Sequence, residues 1–360
     1  MVKPDWTRKE IFALIDRIAN GIMDRGNAGV FTPDNAGRHY MDNWDWYQGV
    51  ALFGLYRTWR ETGSGRLLAY IEEWFEKRIG EGLPGKNVNS MCPLLTLTYL
   101  YELRGRERDM KLCEEWAEYA MKKLPRTVEG GFQHVTVDSE NYMQLWDDTL
   151  YMTVLFIARM GELTGRDEYV QESIRQFLVH LKYLTDPETG LFYHAFNFDG
   201  MHHFAGALWG RGNAWYTAGL ADYLDMAELP GGVKLFLISS LKRQADALKT
   251  WQDKEGMWHT LINDPEGSYA EASATAGFAY GIMKAVRTGI LDGSYSEMCI
   301  KAVHALISRV DENGILQDVS AGTAVKPTLD GYRQVKKCAQ PYGQSMMLLA
   351  LTEAARIAAE

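Results

Sequence analysis

Apolar residues recur at helical spacing along most of the chain. The first such segment begins at a capping box, Thr7-Arg8-Lys9-Glu10, whose outer side chains can satisfy free backbone donors. Ile11, Leu14, Ile15, Ile18 and Ile22 then share one face. A glycine-rich polar stretch through Gly29 and Gly37 follows. The next segment starts near Trp44-Asp45-Trp46-Tyr47 and runs through Val50, Leu52, Leu55 and Trp59 to a stop at Glu61-Thr62-Gly63. From there two kinds of helix alternate. Segments 67–79 and 110–124 carry charge on one face and apolar residues on the other. Segments 92–103, 150–160 and 272–283 are apolar or small nearly all round, and a helix without a polar face must be buried on every side. The pattern predicts roughly twelve helices and no long strand, an all-α fold.

The connections repeat as well. Gly130-Gly131-Phe132-Gln133-His134, Gly190-Leu191-Phe192-Tyr193-His194, Gly256-Met257-Trp258-His259 and Gly314-Ile315-Leu316-Gln317 each follow an amphipathic segment and precede a buried one. Counted from Gly131, Gly190, Gly256 and Gly314 the separations are 59, 66 and 58 residues. A period near 60 holds two helices and a hairpin-like loop, and 360 residues hold six such units. Six antiparallel pairs can close into a ring with the apolar helices inside, an (α/α)6 barrel forming one domain over 1–360. An open solenoid would want polar caps at both ends. The last segment, 342–357, starts as apolar as the middle ones, which favours closure.

In such a ring the inner helices all start at one mouth, where their free N–H groups and dipoles converge. Those starts read Trp44-Asp45-Trp46-Tyr47, Asn87-Val88-Asn89-Ser90, Trp146-Asp147-Asp148-Thr149, Trp209-Gly210-Arg211-Gly212-Asn213-Ala214-Trp215, Tyr269-Ala270-Glu271-Ala272-Ser273 and Tyr342-Gly343-Gln344. Five of the six carry aromatic rings, and several add an ionic or amide group. Rings that stack on the C–H face of a sugar, with a few polar groups for its hydroxyls, suit a carbohydrate site. Plugging by Trp and Tyr and capping by Asp and Asn is the competing explanation, but capping does not account for Arg211 between two tryptophans. A guanidinium near a helix start opposes the dipole, so an anion or carbonyl should compensate it. A bidentate grip on a sugar carboxylate is the attractive candidate.

Asp147 and Asp148 stand about 100° apart around a helix, so only one can look into the mouth. Burial against Trp146 and Trp209 and mutual repulsion raise a carboxyl pKa there, whereas the helix dipole lowers it. His134, His194 and His259 fall in the repeated loops, where a loop hydrogen-bonding role competes with that of a base. His194, beside Tyr193 and Phe196, is the one expected at the substrate.

Composition narrows the partners. A net charge of −9 supplies no cationic field for nucleic acid or a membrane surface. The start, Met1-Val2-Lys3-Pro4-Asp5-Trp6, lacks the basic and apolar regions of a signal peptide, and no apolar run reaches membrane-spanning length, so a cytoplasmic location is expected. Cys92, Cys113, Cys299 and Cys338 are scattered and read as reduced. No H-E-x-x-H or phosphate-binding loop occurs, and His202 and His203 are the only adjacent histidines, so neither metal nor cofactor is expected.

The run 146–152, the segment 209–215 and the stretch Asn87-Val88-Asn89-Ser90-Met91-Cys92-Pro93-Leu94-Leu95-Thr96-Leu97 resemble the unsaturated rhamnogalacturonyl hydrolases, glycoside hydrolases related to the unsaturated glucuronyl hydrolases. That family has the (α/α)6 barrel. The resemblance implies that Asp148, the aspartate before Thr-Leu-Tyr-Met, is the general acid. It implies substrate contacts at Trp209, Arg211 and Trp215, and less securely at Trp44 and Trp46. Relatives carry a second aspartate near the fourth helix, where this chain has Asn87 and Asn89, Asn89 being the better positional match. The implied substrate is a small oligosaccharide with a terminal 4,5-unsaturated uronic acid, hydrated without cofactor. Neither a nucleic-acid nor a membrane partner is expected, and the protein is expected to be a monomer or homodimer. Alternatives are a glucuronyl hydrolase on glycosaminoglycan fragments, a sugar epimerase using His194 and His259, and a non-catalytic carbohydrate-binding barrel.

Overall fold

The computed structural model describes residues 4–23 and 40–358. The glycine-rich stretch through Gly29 and Gly37 lies outside them, as do Met1, Val2 and Lys3. Helix α1 (Arg8–Met23) opens with the expected capping box, Thr7 N–H donating to Glu10 Oε2 at 2.7 Å and Glu10 N–H to Thr7 Oγ1 at 3.2 Å. Next come α2 (Trp46–Thr62), α3 (Gly65–Glu81), α4 (Cys92–Arg104), α5 (Glu107–Lys122), α6 (Leu155–Thr164) and α7 (Asp167–Leu184). They are followed by α8 (Gly210–Met226), α9 (Gly231–Trp251), α10 (Ala272–Arg287), α11 (Ser296–Ile307), the short α12 (Leu329–Arg333) and α13 (Pro341–Ile357).

The all-apolar segments form a closed ring. Helix α2 packs on α4, α4 on α6, α6 on α8, α8 on α10, α10 on α13, and α13 back on α2. Around them lie α3, α5, α7, α9 and α11, each against the inner helix before it, and α1 against α13. The chain is thus an (α/α)6 barrel. Its closing seam joins distant parts of the sequence: Ser345 Oγ donates to Val50 O at 2.6 Å, and a Cβ at Gly54 would lie 2.1 Å from that same hydroxyl. Among the described residues the only ladder is a two-stranded ribbon, β1 (Gln144–Trp146) antiparallel to β2 (Ala195–Asn197).

The four repeated hairpins are built alike. Their left-handed glycines are Gly130, Gly190, Gly256 and Gly314, with φ between 79° and 98°. The first repeat therefore turns on Gly130 rather than Gly131, because only Gly130 adopts positive φ. Amides on inner helices clamp two of the loops: Phe192 N–H donates to Asn213 Oδ1 at 2.6 Å, and Leu316 N–H to Gln344 Oε1 at 3.0 Å. These amides at helix starts hold the barrel's loops rather than a ligand. At the opposite end, buried Lys284 bonds Asp222 at 2.6 Å and Asp225 at 2.9 Å, and Arg287 bonds Glu353, so cations stand near the negative ends of the inner helices. No helix among the described residues is long and apolar enough to cross a membrane. All four cysteines are free.

Candidate active site

The starts of four inner helices, α2, α4, α6 and α8, line a cavity of about 280 Å³. Six of the expected residues line it: Trp46 at the start of α2, Asn89 before α4, Asp148 before α6, and Trp209, Arg211 and Trp215 at α8. Trp46 stacks on Tyr342 at 4.7 Å between centroids and meets Trp215 edge-on at 6.2 Å, giving an aromatic wall. Asn89 keeps its side-chain amide toward the cavity because Asn87 does the local capping, accepting the N–H groups of Asn89 and Ser90 at 2.9 and 3.0 Å.

Two expected residues stand elsewhere. Trp44 is buried behind the α2 start, where Nε1 donates to Ser90 O at 2.8 Å and the ring stacks on Trp74. It braces the entry to α4 instead of lining the cavity. His194 lies behind the wall, packed against Trp209 at 4.1 Å and Trp146 at 5.4 Å, with Nδ1 2.7 Å from the Tyr332 hydroxyl. The ribbon explains this: pairing of β1 with β2, with Asp147 N–H donating to His194 O at 3.0 Å, turns the ring away from the mouth. His259 is tied to Asp253 at 3.0 Å and to Ser268 O at 2.7 Å and does not line the cavity either.

The adjacent aspartates diverge. Asp148 faces the cavity, with its side chain 15% exposed. Asp147 is fully buried against Gly212, where a Cβ would come within 1.8 Å of its Oδ2. Only glycine leaves room for that carboxyl. Neither Asp147 oxygen has a hydrogen-bond partner. An unpartnered carboxylate is costly to bury, and burial together with the charge of Asp148 keeps Asp147 protonated well above the usual carboxylate range. Asp148 is pushed up to about 7 by burial, with the Arg211 charge pulling it back down. Behind Asp148 the chain makes a single wide turn, residues 150–154, in which Leu155 N–H reaches back to Leu150 O. Such turns recur at functional sites. Here Thr153 Oγ1 donates to Val88 O at 2.9 Å, tying the acid's helix to the Asn89 turn.

His134 is the histidine at the cavity. Its ring stacks on Trp146 at 4.2 Å, and Nδ1 lies 2.8 Å from Thr149 Oγ1 and 3.2 Å from Asp148 Oδ1. Burial lowers its pKa to about 3, so the contact with Asp148 is not an ion pair at neutral pH. The sequence signal for His134 was its place in the first repeated hairpin, shared with His194 and His259, and only the fold separates the three. The rim adds Asp45 and residues 136–139 and 141, none of which stood out from a cap or a loop in the sequence.

Arg211 is buried between Trp209 and Tyr342, its guanidinium carbon 4.7 and 5.0 Å from their ring centroids. Its fork is already occupied. Nη1 donates to Ser320 O at 3.0 Å and to Ser320 Oγ, and Nη2 donates to Ala321 O at 2.9 Å and Thr323 Oγ1 at 3.0 Å. Glu271 Oε1 lies 3.7 Å away. Carbonyls and a buried carboxylate of the protein therefore compensate the cation, and no free fork is left for a sugar carboxylate. Arg211 holds the segment whose Gly322, Thr323 and Ala324 form one cavity wall, and it contributes charge rather than a bidentate grip.

The chain is similar to known proteins along most of its length. The model of Glycosyl Hydrolase Family 88 matches residues 14–358. The unsaturated rhamnogalacturonyl hydrolase YesR of Bacillus subtilis (strain 168) is 35% identical over 314 residues, covering 86% of this chain and 89% of that protein. A crystal structure described as a possible member of the GH105 family, from Salmonella enterica serovar Paratyphi A, superposes with a TM-score of 0.93 at 41% identity, covering 99% and 96% of the two chains. The unsaturated glucuronyl hydrolase of Bacillus sp. GL1 shares the fold at a TM-score of 0.71 and 20% identity, over 96% of each chain.

Proposed function

The chain belongs to Glycosyl Hydrolase Family 88 and is a glycoside hydrolase, and from that premise we propose that it releases the terminal 4,5-unsaturated galacturonate from rhamnogalacturonan-derived oligosaccharides. The observation that carries the reading is an acid in an aromatic cavity, Asp148, which keeps its proton up to a pH of about 7. The substrate contains a vinyl ether, in which the ring oxygen feeds electron density to C4. Asp148 donates its proton to C4, the π pair forms the new C–H bond, and positive charge spreads over C5 and the ring oxygen. Water adds at C5. The resulting hemiketal opens and the neighbouring sugar leaves. Ordinary glycosidases instead flank the anomeric carbon with two carboxylates.

Trp46, Trp209 and Trp215 supply faces for the sugar ring, Asn89 supplies an amide for hydroxyls, and the buried Arg211 charge favours the uronate. The similarity to YesR supports a rhamnose-containing substrate. Epimerisation by His194 and His259 would need side chains that reach the cavity, and neither lines it. We take the enzyme as one catalytic domain working in the cytoplasm, where its free cysteines stay reduced. The test is incubation with lyase-digested rhamnogalacturonan while following the ultraviolet absorbance of the conjugated double bond. Loss of absorbance with release of the neighbouring sugar is expected, and a stable absorbance would overturn the reading.

A further inference from the structure

Asp45 occupies the N-cap position of α2, but it caps in an unusual way. An N-cap carboxylate normally accepts the N–H of the second or third helical residue. Asp45 Oδ1 instead takes the N–H of the adjacent Trp46 at 2.8 Å, and among the described residues Oδ2 has no hydrogen-bond partner. Asp45 is only half-buried, so that oxygen is not sealed in, and Asp45 lines the same cavity as Asp148. The two carboxylates come from inner helices on either side of α4, so they approach the cavity about a third of the ring apart. A cavity of about 280 Å³ has room for a sugar ring and a water.

We propose that Asp45 is a second catalytic carboxylate, the base that removes a proton from the water attacking C5 while Asp148 protonates C4. The assignment rests on the hydration reading above. The step balances. The Asp148 proton becomes the C4–H bond, a lone pair of water forms the C5–O bond, and the O–H bond of that water breaks toward Asp45 Oδ2. Asp148 leaves the step ionised and Asp45 protonated, and exchange with solvent through the open mouth restores both. Around Asp45 stand Asp138 of the rim loop, Tyr47 on its own helix and Cys92 at the start of α4, with His134, Asp148 and Arg211 elsewhere in the cavity. Burial raises Asp45 to about 6, the Trp46 N–H bond opposes this, and the charge of Asp138 adds to it.

The test compares wild type with Asp45→Asn and Asp45→Ser, both of which keep an oxygen able to cap the helix. Lyase-digested rhamnogalacturonan is the substrate and absorbance loss the readout, across pH 5 to 9. A base must be ionised and an acid protonated, so wild-type kcat should rise through about 6 and fall through about 7. Both variants should lose about 10²–10³ in kcat with KM changed little, and should lack the acidic limb while keeping the alkaline one. Thermal melting checks that both fold as wild type does. Wild-type kcat with both limbs intact in the variants would reduce Asp45 to a cap. A wild-type profile without an acidic limb would overturn the proposal even if neither variant folded. Failure of the hydration reading looks different: the wild type would then leave the double bond untouched, and the base role would fall with it.

Discussion

Replacing Asp148 by Asn removes the transferable proton while leaving a side chain of the same shape. Under the proposed chemistry Asp148→Asn lowers kcat by about 10³ or more and leaves KM close to wild type, measured by the absorbance assay. The same residue carries a stability signature. Its folded pKa is raised from 3.8 to about 7, so it favours folding most below pH 4, and that contribution is lost as pH climbs through 7. Asp148→Asn should therefore melt a few degrees above wild type at pH 8 and match it at pH 4, in paired thermal scans. Arg211→Ala acts differently. It releases the 320–323 segment and leaves buried Glu271 without its cation, at a cost of about 3–5 kcal/mol in chemical denaturation. Arg211→Lys should recover little, because an ammonium cannot reach the acceptors on Ser320, Ala321 and Thr323 together. At this scale the sequence was partly legible. The motif picked out Asp148, but Asp45 reads as an ordinary cap and His134 as one of three equivalent loop histidines. Side-chain direction decided these, and direction depends on the neighbours packed around each residue.

Helix pairs and their hairpins are the elements that repeat, and their glycines are not equivalent. Gly190 and Gly314 share φ 81°. A methyl at Gly190 would meet the flexible Arg243 side chain at 2.7 Å, whereas at Gly314 it would lie 2.5 Å from the backbone oxygen of Arg17 in α1. Both alanine variants carry a left-handed penalty of about 1 kcal/mol. Gly314→Ala should cost at least about 1 kcal/mol more than Gly190→Ala, because helix backbone cannot step aside. Urea unfolding of the two variants checks the order. The period near 60 was readable because each unit repeats one solution to burying an apolar helix. Its register was not, since Gly130 and Gly131 are identical until a backbone angle separates them. The β1–β2 ribbon was also invisible, as three-residue strands leave no alternation to detect.

Closure makes the barrel one cooperative unit. In an open solenoid, loss of a terminal repeat costs that repeat and its one interface. Here α13 packs against α2, α10 and α1, and Ser345 bonds Val50 across the seam. A chain truncated before Pro341 should therefore lose protection throughout, with amide exchange in α2 and α10 as fast as in the outer helices. Retained protection in the α4–α6 half would mean the repeats stand independently. Closure also gathers the site, since residues as far apart as Asp45 and Ala324 line one cavity.

The sequence alone determined the helical class, the sixfold repeat, the choice of inner and outer helices and the junctions that share a mouth. All of these follow from hydrophobic periodicity, which is local and survives without coordinates. Tertiary structure decided which junction residues face the cavity. Trp44 and His194 turned into the packing, the Arg211 fork went to the 320–323 segment, and Asp45 and His134 came forward. The physical reason is that a polar side chain at a helix start can cap, brace or face a ligand equally well. The choice rests with whichever backbone group or ring the rest of the fold brings alongside it.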